Sequence, residues 1–185
     1  MKTASSKLTF LLSILLLLTA AFAATSCGGG EKTVNDTVLP SAVLTAIMAE
    51  FPEAPAGLTY TSEDDDLEYF STILGATEFG DGFSFPELEV TESYAVFIPE
   101  AKTTFRAAIF KANTPADAEA LKTMCQSKIT ATQNDSQIKA YDDEQGTMQT
   151  MANNAQIHTA GNYIILLITP DNPKAITAAE SVLYQ

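Results

Sequence analysis

Tyr163-Ile164-Ile165-Leu166-Leu167-Ile168 sets six large apolar residues in a row. Strand side chains alternate between the two faces of a sheet, so this run is apolar on both sides of its pleat. Such a strand is central and covered on both faces. Ala155 to Thr159 precedes it, and Ala160-Gly161-Asn162 supplies the turn of a hairpin. His158, the only histidine, alternates with Ala155 and Ile157 and is expected to face outward as a surface residue.

A second hairpin lies earlier in the chain. Ser93 to Ile98 and Thr104 to Lys111 read as strands, joined by Pro99-Glu100-Ala101-Lys102-Thr103. Each hairpin is followed by a helix-start signature. Thr114 is the expected N-cap before Pro115, with Asp117 in the first turn, and Asn172-Pro173 opens the last helix. The first helix carries an apolar stripe of Ala118, Leu121, Cys125 and Ile129; the last carries Ile176, Ala179, Val182 and Leu183. The two cap-Pro pairs are 58 residues apart. These echoes predict an α+β fold: a two-layer arrangement of two ββα units sharing one antiparallel sheet, helices packed on one face.

Extra N-terminal helices complete the plan. Val43, Leu44, Ile47, Met48 and Phe51 give Ser41 to Phe51 helical spacing, and Pro52 and Pro55 end it. Leu58 to Thr61 fits a short strand. Leu67, Phe70, Ile73 and Leu74 continue helical spacing up to Gly75, and Thr77 to Pro86 reads as a loop. These two helices could cover the other face of strand Tyr163–Ile168. Between the two ββα units, Ile138 to Met151 is expected to form a weaker helix with Tyr141, Met148 and Met151 inward and Gly146 interrupting it.

The N-terminus reads as an export signal. Lys2 and Lys7 precede an apolar run, Leu8 to Leu18, and small residues lead to Cys27. The run is shorter than the roughly 20 residues of a membrane-spanning helix. Ala24-Thr25-Ser26-Cys27 is similar to a bacterial lipobox, with Ala24 where the usual box has Leu. Ala21-Phe22-Ala23 is a competing site for ordinary signal peptidase. Cleavage before Cys27 leaves a lipidated cysteine, whereas cleavage after Ala23 leaves a free protein. Gly28-Gly29-Gly30 favours the first, because a surface lipoprotein needs a flexible tether next. Two acyl chains then anchor the protein stably. Residues 1–26 are thus expected to be a lipoprotein signal peptide. Lipidated Cys27 begins a flexible tether, 27–36, spanning about 17 Å on average. Residues 37–185 form a single α+β domain on the outer side of the membrane.

Charge narrows the partners. Loss of Lys2 and Lys7 takes the formal charge from −13 to −15, leaving eight basic residues against 23 acidic. Such a surplus repels phosphate backbones and anionic headgroups, so no nucleic-acid partner is expected and the domain stands off the membrane. With Cys27 lipidated, Cys125 has no disulfide partner, and its place in the apolar stripe marks it as a buried thiol.

No constellation carries chemistry. Glu63-Asp64-Asp65-Asp66-Leu67-Glu68 fits the first turn of a helix, where the dipole favours acids, and lacks the alternating ligands and glycine of a calcium loop. Asp142-Asp143-Glu144 reads as the solvated start of a helix. Gly82-Phe83-Ser84-Phe85-Pro86 fails as a nucleophile elbow, because Pro86 replaces the final glycine. A lone histidine builds neither a metal site nor a triad. No catalytic residue, metal site or cofactor is therefore assigned.

Several segments resemble a known family. Ala108-Ile109-Phe110-Lys111-Ala112, Ala120-Leu121-Lys122, Tyr141 with Glu144-Gln145, and Gly161-Asn162-Tyr163-Ile164 leading to Ile168 carry the likeness, over roughly Ser41 to Leu183. Together with the signal peptide and Cys-Gly-Gly-Gly, they resemble uncharacterised bacterial lipoproteins of clostridia and relatives, the domain of unknown function numbered 4358. That family tends to have Pro after the Tyr, where this chain has Asp142-Asp143. The resemblance implies a lipid anchor and a small α/β domain, and no activity, ligand or catalytic residue.

The expected function is non-catalytic: a membrane-anchored extracytoplasmic lipoprotein, an interaction or accessory module of a cell-envelope complex with an envelope protein as partner. The alternative is a small-ligand or cation-binding surface lipoprotein, motivated by the acidic clusters. An enzyme with a paired-carboxylate mechanism has 23 acids to draw on, but nothing selects a pair.

Overall fold

The computed structural model describes residues 33–63 and 87–184. The expected signal peptide, Cys27, the helix expected over Asp64–Leu74 and the loop expected over Thr77–Pro86 lie outside the described residues. Among the described residues, no helix is long and apolar enough to cross a membrane.

The elements run α1 (Pro40–Ala49), β1 (Gly57–Thr61), α2 (Glu87–Val90), β2 (Thr91–Pro99), β3 (Arg106–Ala112), α3 (Pro115–Gln133), α4 (Ile138–Tyr141), α5 (Thr147–Asn153), β4 (Gln156–Ala160), β5 (Tyr163–Ile168) and α6 (Asn172–Leu183). The five strands form one sheet in the order β1-β2-β3-β5-β4, every neighbouring pair antiparallel. The fold is α+β with helices packed against the sheet, as the two hairpins predict.

β5 lies between β3 and β4, and all six of its residues are buried. Register decides what covers each side. Ala95, Ile109, Ile165 and His158 share one face, as do Phe97, Ala107 and Leu167 beside them. The ring of Phe105 joins that face to α1, standing edge-on to Phe97 and to Phe51 at centroid distances of 5.7 and 5.9 Å. α6 lies against α1, β4 and β5, and Glu180 reaches His158 on the same face. The other face, with Val96, Ala108, Phe110, Ile164 and Leu166, is covered by α3, which packs on β3, β5 and β4. The two ββα segments therefore send their helices to opposite faces, not to one face as expected. A strand apolar on both sides requires cover on both, and α6 with α1 supplies the second layer.

Local signals explain most element ends. Thr114 Oγ1 accepts from the backbone N–H of Asp117 at 3.2 Å, with Pro115 at the first helical position. At α6 the cap sits one residue earlier than expected: Asp171 accepts from Lys174 N at 3.0 Å, so Asn172 is the first helical residue. Asn172 is instead buried, its Oδ1 accepting from Thr169 N and Oγ1 and its Nδ2 donating to Asn154 O. Gly161 has φ +55°, the left-handed turn conformation that favours glycine, and Val34 lies beside it.

Three further expectations change. His158 is not a surface residue: its side chain is 19% exposed, wedged between β4 and α6, with Nε2 3.4 Å from Glu180 Oε1, close enough for an ion pair but without hydrogen-bond geometry. Alternation was counted correctly there, but α6 occupies the side taken for solvent. The single helix expected over 138–151 is two short helices, α4 and α5, split where Gly146 adopts φ +68°. Tyr141, expected inward, is 51% exposed. Finally, Val34 to Asp36, expected in the tether, belong to the domain. Asn35 N donates to Leu183 O at 2.8 Å, and Asp36 O accepts from Lys111 Nζ at 2.6 Å.

Candidate functional site

The connections β2–β3, α1–β1, α5–β4 and β5–α6 all fall at one end of the sheet, where β2 and β5 finish and β1, β3 and β4 begin. Among the cavities at this loop end, two flank the β2–β3 loop. Thr103 lines both.

The first is apolar, about 390 Å³, lined by Phe51, Pro52, Pro55, Phe105, Met151 and Pro170 among others, with Glu50 and Glu53 beside it. Prolines build its walls because they stop α1 and the β5 extension while presenting apolar surface without an N–H to satisfy. Its floor is rigid. Phe105 is buried between two other rings, and Lys174 at the start of α6 holds the end of α1 through Glu50 Oε2 at 3.0 Å and Glu50 O at 2.9 Å.

The second is polar, about 210 Å³, lined by Lys102, Arg106, Lys128, Asp135, Tyr141 and Thr132 among others. The β2–β3 loop that carries Lys102 and Arg106 is fixed from below. Thr104 is buried and donates to Met148 O at 2.9 Å, so the loop is bonded to α5. Arg106 Nη1 donates to Thr103 O and Phe105 O at 3.0 and 2.7 Å. Lys102 Nζ lies 2.7 Å from Tyr141 Oη and 4.0 Å from the ring centroid. From α3, Lys128 and Thr132 project one turn apart on the same side, and Thr132 donates back to Lys128 O at 2.9 Å.

Two of the acids singled out in the sequence, Asp142 and Asp143, serve as helix caps. Asp142 accepts from Met148 N and Gln149 N at 2.7 and 3.0 Å, and Asp143 accepts from Thr147 N at 2.9 Å, so both hold the start of α5. Hydrogen bonds from Thr147 hold the Asp143 carboxyl below the usual carboxylate range. Glu63 accepts from Ser41 Oγ at 3.1 Å, and the rest of its acidic run lies outside the described residues. Among the described residues, no group of three or more His, Cys, Asp or Glu side chains converges to hold a metal ion.

Cys125 is fully buried in α3, as its stripe predicts, and burial pushes its thiol far up, away from nucleophilic character. Tyr163 donates to Val38 O at 2.6 Å. Burial and the carboxylates of Asp36 and Glu92 push its phenol up to about 12. These groups are structural, not reactive. Cys27, the residue singled out for lipidation, lies outside the described residues. Sequence reading passed over Lys102, Arg106 and Lys128. Lys128 lies 22 residues beyond Arg106, and the linear signal of the three was scarcity of basic residues in an acidic chain. No protein-family model, curated protein or solved structure matches this chain.

Proposed function

We propose that this chain is a lipid-anchored module of the bacterial cell envelope that acts by recognition, not catalysis: Cys27 holds it to the membrane and the loop end of its sheet meets an envelope protein. The observation that carries this reading is where the chain joins the domain. Val34 packs at Gly161, Asn35 bonds to Leu183, and Asp36 bonds to Lys111. All three contacts lie at the end of the sheet opposite the loop end. A strand of six residues spans about 20 Å between the ends. Residues 34–36, the last of the expected tether, therefore lie at the end of the sheet opposite both cavities.

The lipobox-like Ala24–Cys27, the glycines after it and the resemblance to uncharacterised lipoproteins support the anchor. The rigid apolar groove beside Glu53 suits an apolar side chain flanked by a basic one, a complement to the acidic charge of the domain.

Two measurements test the reading together. Mass analysis of the N-terminal peptide should find a diacylated Cys27, and Cys27→Ala should move the protein from membrane to medium. A photo-crosslinker at Glu53 should capture one envelope protein that the same group at Thr159 does not. A free N-terminus at Ala24 refutes the anchor. Equal capture from both positions refutes the loop end as the recognition face.

A further inference from the structure

We infer that the outer edge of β4 pairs with β4 of a second copy of this chain, antiparallel and about a two-fold axis at His158, so that two sheets join into one. The inference needs neither the anchor nor the envelope protein. A crosslinker at Thr159 then captures this chain itself, a product distinct in mass from the protein sought at Glu53.

Main-chain geometry is the first argument. Among the described residues β4 pairs with β5 alone and ends the sheet on that side. Ala112 N donates to Asn162 O, which continues the β3–β5 ladder past the pair Phe110 and Ile164. Residues of an antiparallel strand bond alternately to one side and the other. Ile164 and Leu166 thus bond to β3, and Tyr163, Ile165 and Leu167 to β4, where their partners are Ala160, His158 and Gln156. Ile157 and Thr159 therefore point their N–H and C=O groups away from the sheet. A two-fold axis at His158 sets Ile157 of each copy opposite Thr159 of the other, and such a pair exchanges both its N–H···O bonds. An axis at Ile157 would call on Ala155, whose N–H already donates to Ala152 O. An axis at Thr159 would call on Gly161, which is in the turn.

What the edge lacks is the second. Natural edge strands are guarded by charges, prolines or bulges. β4 reads Gln156-Ile157-His158-Thr159-Ala160, and its register with β5 runs unbroken. It lies within Gln145 to Pro170, 26 residues without Asp, Glu, Lys or Arg in a chain that is 18% charged. Copies of so acidic a chain repel each other, and the approach least opposed is along a strip that carries no charge. Glu180, beside the strand, is turned to His158 of its own copy. At physiological salt the Debye length is about 8 Å, so acids far from the strip are screened.

The third is the side chains that would meet. Ile157 and Thr159 both lie on the α3 face, opposite Leu166 and Ile164 of β5. Ile157 is only partly buried against the core, and Thr159 is exposed. Pairing lays Ile157 of each copy against the β-branched Thr159 of the other, a cross-strand contact that suits a sheet and removes apolar surface from water.

The test is light scattering of the full chain carrying Cys27→Ala, which removes the lipid and leaves only the buried thiol of Cys125. A dimer mass that dissociates on dilution is expected. Thr159→Pro deletes the outward N–H without touching the β4–β5 ladder, and should weaken the dimer at least about tenfold. Thr159→Glu, at an exposed position that tolerates the change, should also weaken it, by placing like charges across the axis. Thr123→Glu, the same added charge at an exposed position on α3, should leave it unchanged. Register is read by disulfide formation. A mixture of Ile157→Cys and Thr159→Cys chains should link, their Cα atoms being about 5.5 Å apart. Thr159→Cys alone should link far more slowly, across a diagonal of roughly 7–8 Å. A parent chain that stays monomeric up to about 100 μM overturns the inference. So does a dimer that Thr159→Glu weakens no more than Thr123→Glu, or a Thr159→Cys chain that links alone as fast as the mixture.

Discussion

Replacing Lys111 by Met removes one ammonium from the middle of the fold and keeps the length of the side chain. Lys111 lies on β3, 8% exposed, beside the turn at Asp36. A bulge at Glu92 interrupts the β2–β3 register between Thr91 and Ser93 and turns that carboxylate toward Nζ, at 2.6 Å. The second partner is Asp36 O, also at 2.6 Å, and the ring of Tyr163 lies 5.8 Å away. The bond to Asp36 O is charge-assisted and contributes about 1.5–3 kcal/mol. Glu92 is half exposed, so water replaces Lys111 there and the loss is about 0–1 kcal/mol. Relief of burying the ammonium offsets part of the sum. Met should therefore destabilise by about 1–3 kcal/mol, or roughly 2–10 °C in Tm for a domain of this size. The local effect should exceed the global one. With Asp36 released, the amides of Asn35 and Val38, bonded to Leu183 O and Asn35 O, should exchange hydrogen faster. Calorimetry and hydrogen-exchange mass spectrometry of residues 34–39 read both. A Tm equal to or above that of the parent, with unchanged exchange at 34–39, would refute the reasoning. It would mean that desolvation of the lysine outweighs its bonds.

Three further outcomes follow from the same structure. Phe105→Ala should cost about 3–5 kcal/mol by chemical denaturation, because a buried ring between Phe51 and Phe97 leaves a cavity at the loop end; a cost under about 1 kcal/mol would show that the groove floor collapses freely. Tyr163, with a folded pKa raised to about 12 against an ordinary value of 10.0, contributes stability that is full below pH 10 and falls as pH rises toward 12, because the unfolded chain releases its proton first. Tyr163→Phe should flatten that part of the stability–pH curve; an identical slope in both proteins would contradict it. Gly161→Ala forces an L residue to φ +55° and should destabilise by about 1–2 kcal/mol in thermal melts, and a neutral result would show that the turn can rearrange.

Much of the fold was legible because local chemistry and tertiary demand agreed. The cap, proline and acid at Thr114–Asp117 start α3 where the pattern placed them, and its stripe of Ala118, Leu121, Cys125 and Ile129 is buried. The same reasoning failed by one residue at Asp171, where two adjacent residues can both cap and burial of Asn172 decides between them. It failed at His158 because period-two alternation tells which residues share a face, not which face meets solvent. At Tyr141 the helical period ran through Gly146, where a left-handed residue breaks the helix and resets the phase.

The linear pattern by itself determined the longer helices, the two hairpins, the demand that β5 be covered twice and the acidic character of the domain. Each of these depends on neighbours within a few residues or on composition alone. Only the tertiary structure decided that α3 and α6 take opposite faces, that Val34 to Asp36 are tied to the domain, and that Lys102, Arg106 and Lys128 meet around one cavity. Residues 26 positions apart in the chain come together only once sheet register and helix packing are set, and no local preference encodes that meeting.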